Sequence, residues 1–277
     1  MRVEKAIIPV AGWGTRRLPI TKTLDKNMLP VGNRPVIDYV IEDCVRAGIK
    51  DIYLVVNSID KSQIKEYYGE NLVLEEFLRE RGADEKLAKL KTVPDGVNLH
   101  WVEQDVNRSY GTAVPVALVV KEFGLDEPVM FCNGDDFFWN VPSGSAVKDA
   151  VENFDGEALI TGVVRKPEEM VRYGMLEKDK TGHLVRLVEK PDISEVTSDL
   201  ANVNRFVLTP ELLKGIVEYV DGHNFGPDDQ EYMITDPIFD FICGGGKMKA
   251  IAAQGEWMDC GSVEGWLHAN RVVLGDK

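Results

Sequence analysis

A short apolar run, Ala6-Ile7-Ile8-Pro9-Val10, opens directly into Ala11-Gly12-Trp13-Gly14-Thr15-Arg16-Arg17. This junction constrains the fold more than any other stretch. A brief, nearly continuous apolar run reads as a buried parallel strand. A Gly-rich turn at its end exposes backbone N–H groups, and glycine lets the chain approach an anion closely. Basic residues follow at Arg16, Arg17, Lys22 and Lys26, on a chain whose formal charge is −14. Cations gathered on one loop of an acidic protein predict a specific anion pocket. Arg16 and Lys26 are expected on the outer phosphates of a nucleoside triphosphate.

Two common phosphate loops are excluded. No G-x-x-x-x-G-K-[ST] run follows Gly12. The dinucleotide fingerprint needs a third glycine where Arg17 stands, which argues against a dinucleotide oxidoreductase.

Strand and helix patterns alternate through the first half. Strands are expected over 3–9, 51–57, 98–104 and 128–132. Helices are expected from Pro35 to Gly48, over 61–68, and from Gly111 through Val119. Such alternation predicts βαβ units and a mainly parallel sheet, whose ligands gather at the carboxyl ends of the strands. The Gly12 loop, Gln104 and Asp135 each follow a strand, so one crevice can collect them. A charged segment over 70–90 reads as helical. Further on, strands are expected over 158–164, 174–177, 184–189, 202–208 and 248–252, with Asp179-Lys180-Thr181-Gly182 as a hairpin turn. Helices are expected over 211–219, 230–243 and 263–274.

Composition narrows the classes. The 277 residues suffice for one large α/β domain. No apolar run reaches membrane-spanning length and no leader pattern precedes the first strand, so a soluble, cytoplasmic protein is expected. The excess of 46 Asp and Glu over 32 Lys and Arg disfavours nucleic acid and anionic lipid as partners. Cys44, Cys132, Cys243 and Cys260 form no C-x-x-C pair and read as reduced, mostly buried thiols. The four histidines show no zinc spacing.

Gly12-Trp13-Gly14-Thr15-Arg16, Leu18-Pro19, Thr21-Lys22 and Lys26-Asn27-Met28-Leu29-Pro30 together resemble the signature of the sugar-1-phosphate nucleotidylyltransferases. Within that superfamily the chain is most similar to the bacterial UTP–glucose-1-phosphate uridylyltransferases. The resemblance extends through Gln104 with Gly111, Asp135, Tyr173-Gly174, Glu189-Lys190-Pro191, Arg205-Phe206-Val207-Leu208, Thr235-Asp236 and Trp257-Met258-Asp259-Cys260-Gly261. It implies a Rossmann-like mixed, mainly parallel central sheet flanked by helices. One nucleotidyltransferase domain over 1–277 is expected, with a nucleotide-binding half to about residue 140 and a sugar-phosphate-binding half beyond.

The implied reaction joins UTP and α-D-glucose 1-phosphate into UDP-glucose and pyrophosphate. It needs no covalent enzyme intermediate, so catalysis is positioning and charge neutralisation. Ala11, Gly12, Gly14, Thr15 and Gly111 are implied to cradle the nucleotide, with Gln104 reading the base through its amide. Arg16 and Lys26 are assigned to the triphosphate. Gly174, Glu189, Lys190 and Asn204 are assigned to the sugar phosphate. Asp135 and Asp259 are the candidate ligands of Mg²⁺, which takes one or two carboxylates. Their pairing rests on the resemblance, since they lie far apart in the chain. Asp136 is expected to serve as a turn or supporting residue. A homo-oligomer, dimer or tetramer, is implied by analogy.

Three departures bear on specificity. Asp25 and Asn27 flank Lys26 where Pro and Glu are common. Asn204 stands where Gly is common. Cys132-Asn133-Gly134-Asp135 replaces the usual Leu-Pro-Asp. These leave open dTTP in place of UTP, another sugar 1-phosphate, and a catalytically silent nucleotide-sugar binder.

Overall fold

The computed structural model describes residues 2–58, 63–107, 109–224 and 231–275. Its strands, in chain order, are β1 (Lys5–Pro9), β2 (Pro30–Val31), β3 (Arg34–Pro35), β4 (Asp51–Asn57), β5 (Asn98–Gln104), β6 (Val129–Cys132), β7 (Asp136–Trp139), β8 (Ala158–Val164), β9 (Gly174–Lys178), β10 (Leu184–Glu189), β11 (Leu200–Leu208), β12 (Met248–Ala252) and β13 (Glu256–Asp259). A central sheet runs β10-β9-β11-β6-β1-β4-β5, with β8 on β11 and β12 on β8. Strands β1, β4, β5, β6, β8, β9 and β12 share one direction, while β10 and β11 run against them. The sheet is mixed and mainly parallel, and takes strands from both halves of the chain.

The first strand shows why. Ala6, Ile7 and Ile8 are buried, and the residues pack alternately into two apolar clusters, one on each face of the sheet. A strand covered on both faces cannot alternate with polar residues. The Val36–Arg46 helix buries Val36, Ile37, Val40, Ile41 and Cys44 on one face and stops before Gly48, which turns at φ 84°.

Several expected helices differ in extent, among them Ala113–Phe123, which runs on past Val119, and Pro210–Gly222, which runs on past Tyr219. The 70–90 segment forms two helices, Leu72–Arg79 and Asp84–Ala88, separated at Gly82 with φ 59°. The expected helix over 61–68 is present as Gln63–Tyr68, and its first two positions lie outside the described residues. The expected helix over 230–243 begins only at Thr235; Gln230 lies outside the described residues. The reason is that Tyr232 pairs its backbone elsewhere, donating to Tyr110 O at 2.9 Å and accepting from Ala113 N at 2.9 Å. A backbone engaged across the fold in this way is unavailable to an intrahelical ladder.

A separate two-stranded ladder, β7 with β13, lies outside the strands the sequence predicts. It sets Asp136 opposite Asp259 and Phe137 opposite Met258. Asp136 is therefore a strand residue, not a turn residue.

Candidate active site

The carboxyl ends of β1, β5 and β6 open into one cavity of about 220 Å³. Ala11 and Gly12 line it from the first loop, Arg16 and Lys26 from the basic stretch, Gln104 and Gly111 from the end of β5, and Asp135 from the end of β6. Tyr110, Asn133, Asn204 and Glu231 also line it.

The loop after β1 is held by local bonds. Gly14 turns the chain at φ 64°, and Thr21 Oγ1 donates to Gly14 O at 2.8 Å. Asp25 accepts from Asn27 N at 2.8 Å and from Asn27 Nδ2 at 2.8 Å, fixing a short 3₁₀ turn over Lys26–Met28. Asp25 and Asn27 are thus a matched pair that aims Lys26. Lys26 Nζ donates to Asp135 Oδ2 at 2.6 Å. Burial opposes both charges, but each outweighs it for the other. The Lys26 ammonium is held above its ordinary value and the Asp135 carboxyl below its own.

Gly134 carries the chain from β6 to Asp135. A methyl group there would lie 2.6 Å from Val10 Cγ1 and 3.2 Å from Pro9 O, so only glycine lets this turn rest on the end of β1.

The β7–β13 ladder brings the two metal candidates together. A methyl group at Gly261 would sit 2.9 Å from Asp259 Oδ1 and 3.9 Å from Asp135 Oδ2, with Arg16 Nη2 at 3.6 Å. Asp259 Oδ1 accepts from Gly261 N at 2.9 Å, so Asp259, Asp135 and Arg16 are gathered around Gly261. Hard oxygen donors of this number fit Mg²⁺, which keeps waters and phosphate oxygens for its other positions.

Beneath the ladder, Arg205 on β11 is fully buried. It donates to Asp43 Oδ2 at 2.7 Å and to Asp136 O at 3.2 Å. Burial pushes the Asp136 carboxyl up to about 7, against the pull of Arg205. Arg205 thus ties the strand that follows Asp135 to the central sheet.

Of the sugar-phosphate candidates Asn204 lines the cavity, whereas Gly174, Glu189 and Lys190 are not among its lining residues. Glu189 on β10 pairs with Gly174 on β9, and a methyl group at Gly174 would meet Glu189 Oε1 at 2.9 Å and Asn202 Cβ at 3.3 Å. Lys190 follows at φ 46° and donates its N–H to Tyr173 O at 3.0 Å. Asn204 sits at φ 50° in a bulge of β11, and Asn202 Nδ2 donates to Asn204 Oδ1 at 3.0 Å. Asparagine is among the side chains that tolerate this left-handed geometry, where glycine is easiest. Asn204 is thus the link between the cavity and the Gly174–Glu189 seat.

A family model described as nucleotidyl transferase matches residues 5–275. The chain belongs to the nucleotidyl transferase family. It is 35% identical over 244 residues to a UTP–glucose-1-phosphate uridylyltransferase of Staphylococcus haemolyticus, covering 86% of this chain and 81% of the relative. It is 31% identical over 278 residues to such an enzyme of Bacillus subtilis, covering 98% of this chain and 90% of the relative. Among solved structures, a UTP-bound UGPase from Acinetobacter baumannii superposes with a TM-score of 0.85 at 26% identity, covering 98% of this chain and 93% of that one. A UDP-glucose pyrophosphorylase complexed with UDP-glucose gives 0.79 at 25% identity, covering 99% and 100%.

In this nucleotidyl transferase the basic stretch does not act as one patch. Arg16 and Lys26 reach the cavity, as expected. Lys22 is exposed and lines no part of it, and Arg17 is buried, only 3% exposed. Successive residues of a 3₁₀ turn point about 120° apart, which turns Arg17 inward when Arg16 faces out. Gly111 lines the cavity, yet what demands glycine there is Tyr232. With φ at 129°, a methyl group would lie 2.4 Å from Tyr232 O. Asn202, Arg205 and Tyr232 were missed as site-building residues. The resemblance covers only the Arg205 strand, and nothing in the sequence marks the other two.

Proposed function

We propose that this nucleotidyl transferase converts UTP and α-D-glucose 1-phosphate to UDP-glucose and pyrophosphate. The observation that carries the reading is the single cavity where Gln104, the Gly12 loop, Arg16, Lys26 and Asp135 meet, with the Gly174–Glu189 seat beside it. The names of the relatives agree with it.

The sugar phosphate supplies an oxygen that forms a bond to the α-phosphorus, and the bond from that phosphorus to the bridging oxygen of pyrophosphate breaks. Ala11, Gly12, Gly14, Thr15 and Gly111 frame the nucleotide. Gln104 is 3% exposed, and its Nε2 is tied to Ser109 O at 3.0 Å. That tether fixes the amide so that its oxygen can accept from a pyrimidine N–H. Lys26 reaches the phosphates with the ammonium donors that Asp135 leaves free. Arg16, exposed at the mouth, neutralises the departing pyrophosphate with its planar fork of donors. Lys190 holds the sugar phosphate and Glu189 accepts from sugar hydroxyls over Gly174. A Mg²⁺ ion held by Asp135 and Asp259 would screen the phosphate charge.

Residues up to about 140 serve the nucleotide and the later ones the sugar phosphate, within one domain. The chain works on small molecules, and its charge of −14 disfavours nucleic acid. No helix among the described residues is long and apolar enough to cross a membrane, and we read the protein as cytoplasmic. The exposed Leu72, Val73 and Phe77 on one helix and Leu267 and Leu274 on another support a homo-oligomer, a dimer or tetramer.

The test is pyrophosphate release with Mg²⁺, across UTP, dTTP, CTP, ATP and GTP against glucose, galactose and N-acetylglucosamine 1-phosphates. UTP with glucose 1-phosphate is expected to dominate. Dominance of dTTP or another sugar would keep the chemistry and move the specificity to the side chain of Asn204 or to Gln104. Retained UDP-sugar binding with no release from any pair would mean a silent binder.

A further inference from the structure

The side-chain amide of Gln63 is bonded through both of its polar atoms to one short stretch of backbone. Its Oε1 accepts from Asp25 N at 2.8 Å, and its Nε2 donates to Thr23 O at 2.8 Å. A carboxamide carries an acceptor and a donor side by side, and only this orientation satisfies both backbone groups. Gln63 therefore clamps the chain on either side of Leu24.

The clamp has a firm base. Gln63 opens the Gln63–Tyr68 helix, in which Ile64 is fully buried. Tyr67 and Tyr68 donate to Asp38 Oδ2 at 3.0 Å and Asp38 Oδ1 at 2.6 Å, which fastens this helix to Val36–Arg46. The clamped stretch itself borders open space. A second cavity, of about 240 Å³, shares Ala11 and Gly12 with the nucleotide cavity, and Thr23, Asp25 and Gln63 line it. On that side hydrogen bonds, not close packing, hold residues 23–25.

What the clamp holds is the entry to the Lys26–Met28 turn. Asp25 enters it at φ −58° and ψ 134°, and Met28 N donates back to Asp25 O at 2.9 Å. The Lys26 stem lies along the glycine loop. A methyl group at Gly12 would be 3.6 Å from Lys26 Cε, and one at Gly14 would be 3.0 Å from Lys26 Cβ. A turn that pivots at Asp25 therefore shifts the Lys26 ammonium relative to both the glycine loop and Asp135. Asp25 stands where proline is common, and a proline would hold the same φ with no N–H to satisfy. Here the N–H is present, and Gln63 takes it.

We propose that Gln63 is a positioning residue for the transfer reaction: its amide, which does not itself line the nucleotide cavity, fixes residues 23–25 and through them the reach of Lys26. This rests on the reading of Lys26 as the triphosphate cation.

The test measures pyrophosphate release by Gln63→Leu and Gln63→Ala, with whichever triphosphate and sugar 1-phosphate the wild type turns over fastest. Backbone hydrogen exchange over residues 20–29 is followed by mass spectrometry on the same proteins. Both variants are expected to fold, to lose about tenfold in kcat, and to keep the sugar-phosphate KM within about twofold of wild type. Exchange over 20–29 should speed up by about tenfold while the other segments hold. Because Gln63 acts through Lys26, Gln63→Leu should cost nothing further in a Lys26→Ala background. Because proline removes the donor, Gln63→Leu should cost at most about twofold in an Asp25→Pro background, whatever Asp25→Pro costs by itself. A folded Gln63→Leu with wild-type kcat overturns the proposal. So does a loss that multiplies with that of Lys26→Ala, or one that persists undiminished beside Asp25→Pro. Near-wild-type turnover by Lys26→Ala alone defeats the reading of Lys26, and the proposal with it. If no pair of substrates reacts, the proposed function fails instead, and unchanged exchange over 20–29 in Gln63→Leu would overturn the clamp by itself.

Discussion

Lys26 Nζ donates to Asp135 Oδ2 at 2.6 Å, so the cation assigned to the triphosphate and the carboxylate assigned to the metal neutralise each other. Each holds the other in place and in its charged form. The bond uses one of three ammonium donors and one of two carboxylate oxygens, so each group keeps capacity for substrate or metal while paired. Lys26→Ala is expected to lower kcat by about 10²–10³, as removal of one preorganised donor to a developing charge does. It should also cost about 2–3 kcal/mol of stability by stranding Asp135, which leaves the protein folded. Steady-state kinetics beside urea unfolding separates the two effects, and near-wild-type turnover would remove Lys26 from the mechanism.

The same pair predicts a pH profile of stability. The Asp135 carboxyl is depressed in the fold, so its contribution is present above its unfolded value near about 4 and is lost as pH falls through the lower folded value. The Lys26 ammonium is raised, so its contribution is present below about 10.4 and is lost as pH rises through the higher folded value. The difference in melting temperature between wild type and Lys26→Met should therefore be largest across the neutral range and shrink at both ends. A difference that does not vary with pH would show that the pair contributes nothing electrostatic.

Gly111→Ala should be among the most damaging single-methyl additions. The new Cβ would lie 2.4 Å from Tyr232 O and 2.5 Å from Tyr232 N, at a φ of 129° that suits only glycine. A loss of about 2 kcal/mol or more is expected from strain at such a position. The KM for the nucleotide should rise more than that for the sugar phosphate. Wild-type stability in a chemical melt would contradict the close approach.

Asn204 should separate shape from chemistry. Asn204→Gly keeps the φ of 50° and deletes the amide bonded to Asn202, so the fold should hold while sugar discrimination relaxes. Asn204→Val places a β-branched residue in the left-handed region and should cost about 1–3 kcal/mol. Comparing kcat/KM across glucose, galactose and N-acetylglucosamine 1-phosphates for Asn204→Gly checks the first expectation. Thermal unfolding of Asn204→Val checks the second.

Arg205→Met should be costly without touching substrate. It leaves Asp43 and Asp136 buried beside a vanished guanidinium, and loss of one partner from such a group typically costs about 3–5 kcal/mol. Asp136 also anchors the strand that follows Asp135, so kcat should fall alongside stability. A double variant, Arg205→Met with Asp43→Asn, should recover part of the stability.

Much of the fold is legible in the sequence because its physics is local. Strands at 51–57 and 98–104 carry apolar runs between polar ends, and the structure gives β4 and β5 those bounds. The Gly12 loop, Gln104 and Asp135 could be gathered in advance because parallel strands deliver their ligating loops to one edge. What stayed hidden is settled by distant partners. The β7–β13 ladder joins two four-residue strands across most of the second half, and neither has a pattern of its own. Arg17 reads as one more cation in a basic run, since nothing in Thr15-Arg16-Arg17 tells which guanidinium turns inward. The late start of the 235–243 helix follows from hydrogen bonds to Tyr110 and Ala113, which no helix propensity records.

The clasp of Tyr232 around Gly111 also orders events during synthesis. Strands β1, β4, β5 and β6 leave the ribosome early, and their loops already hold most of the cavity wall. The loop after β5 is held locally by the Gln104 tether to Ser109 O, and its last backbone bonds wait for Tyr232. A nascent chain can thus lay down its parallel strands before those bonds form. The finished nucleotide wall therefore depends on a residue that belongs to the other half of the molecule.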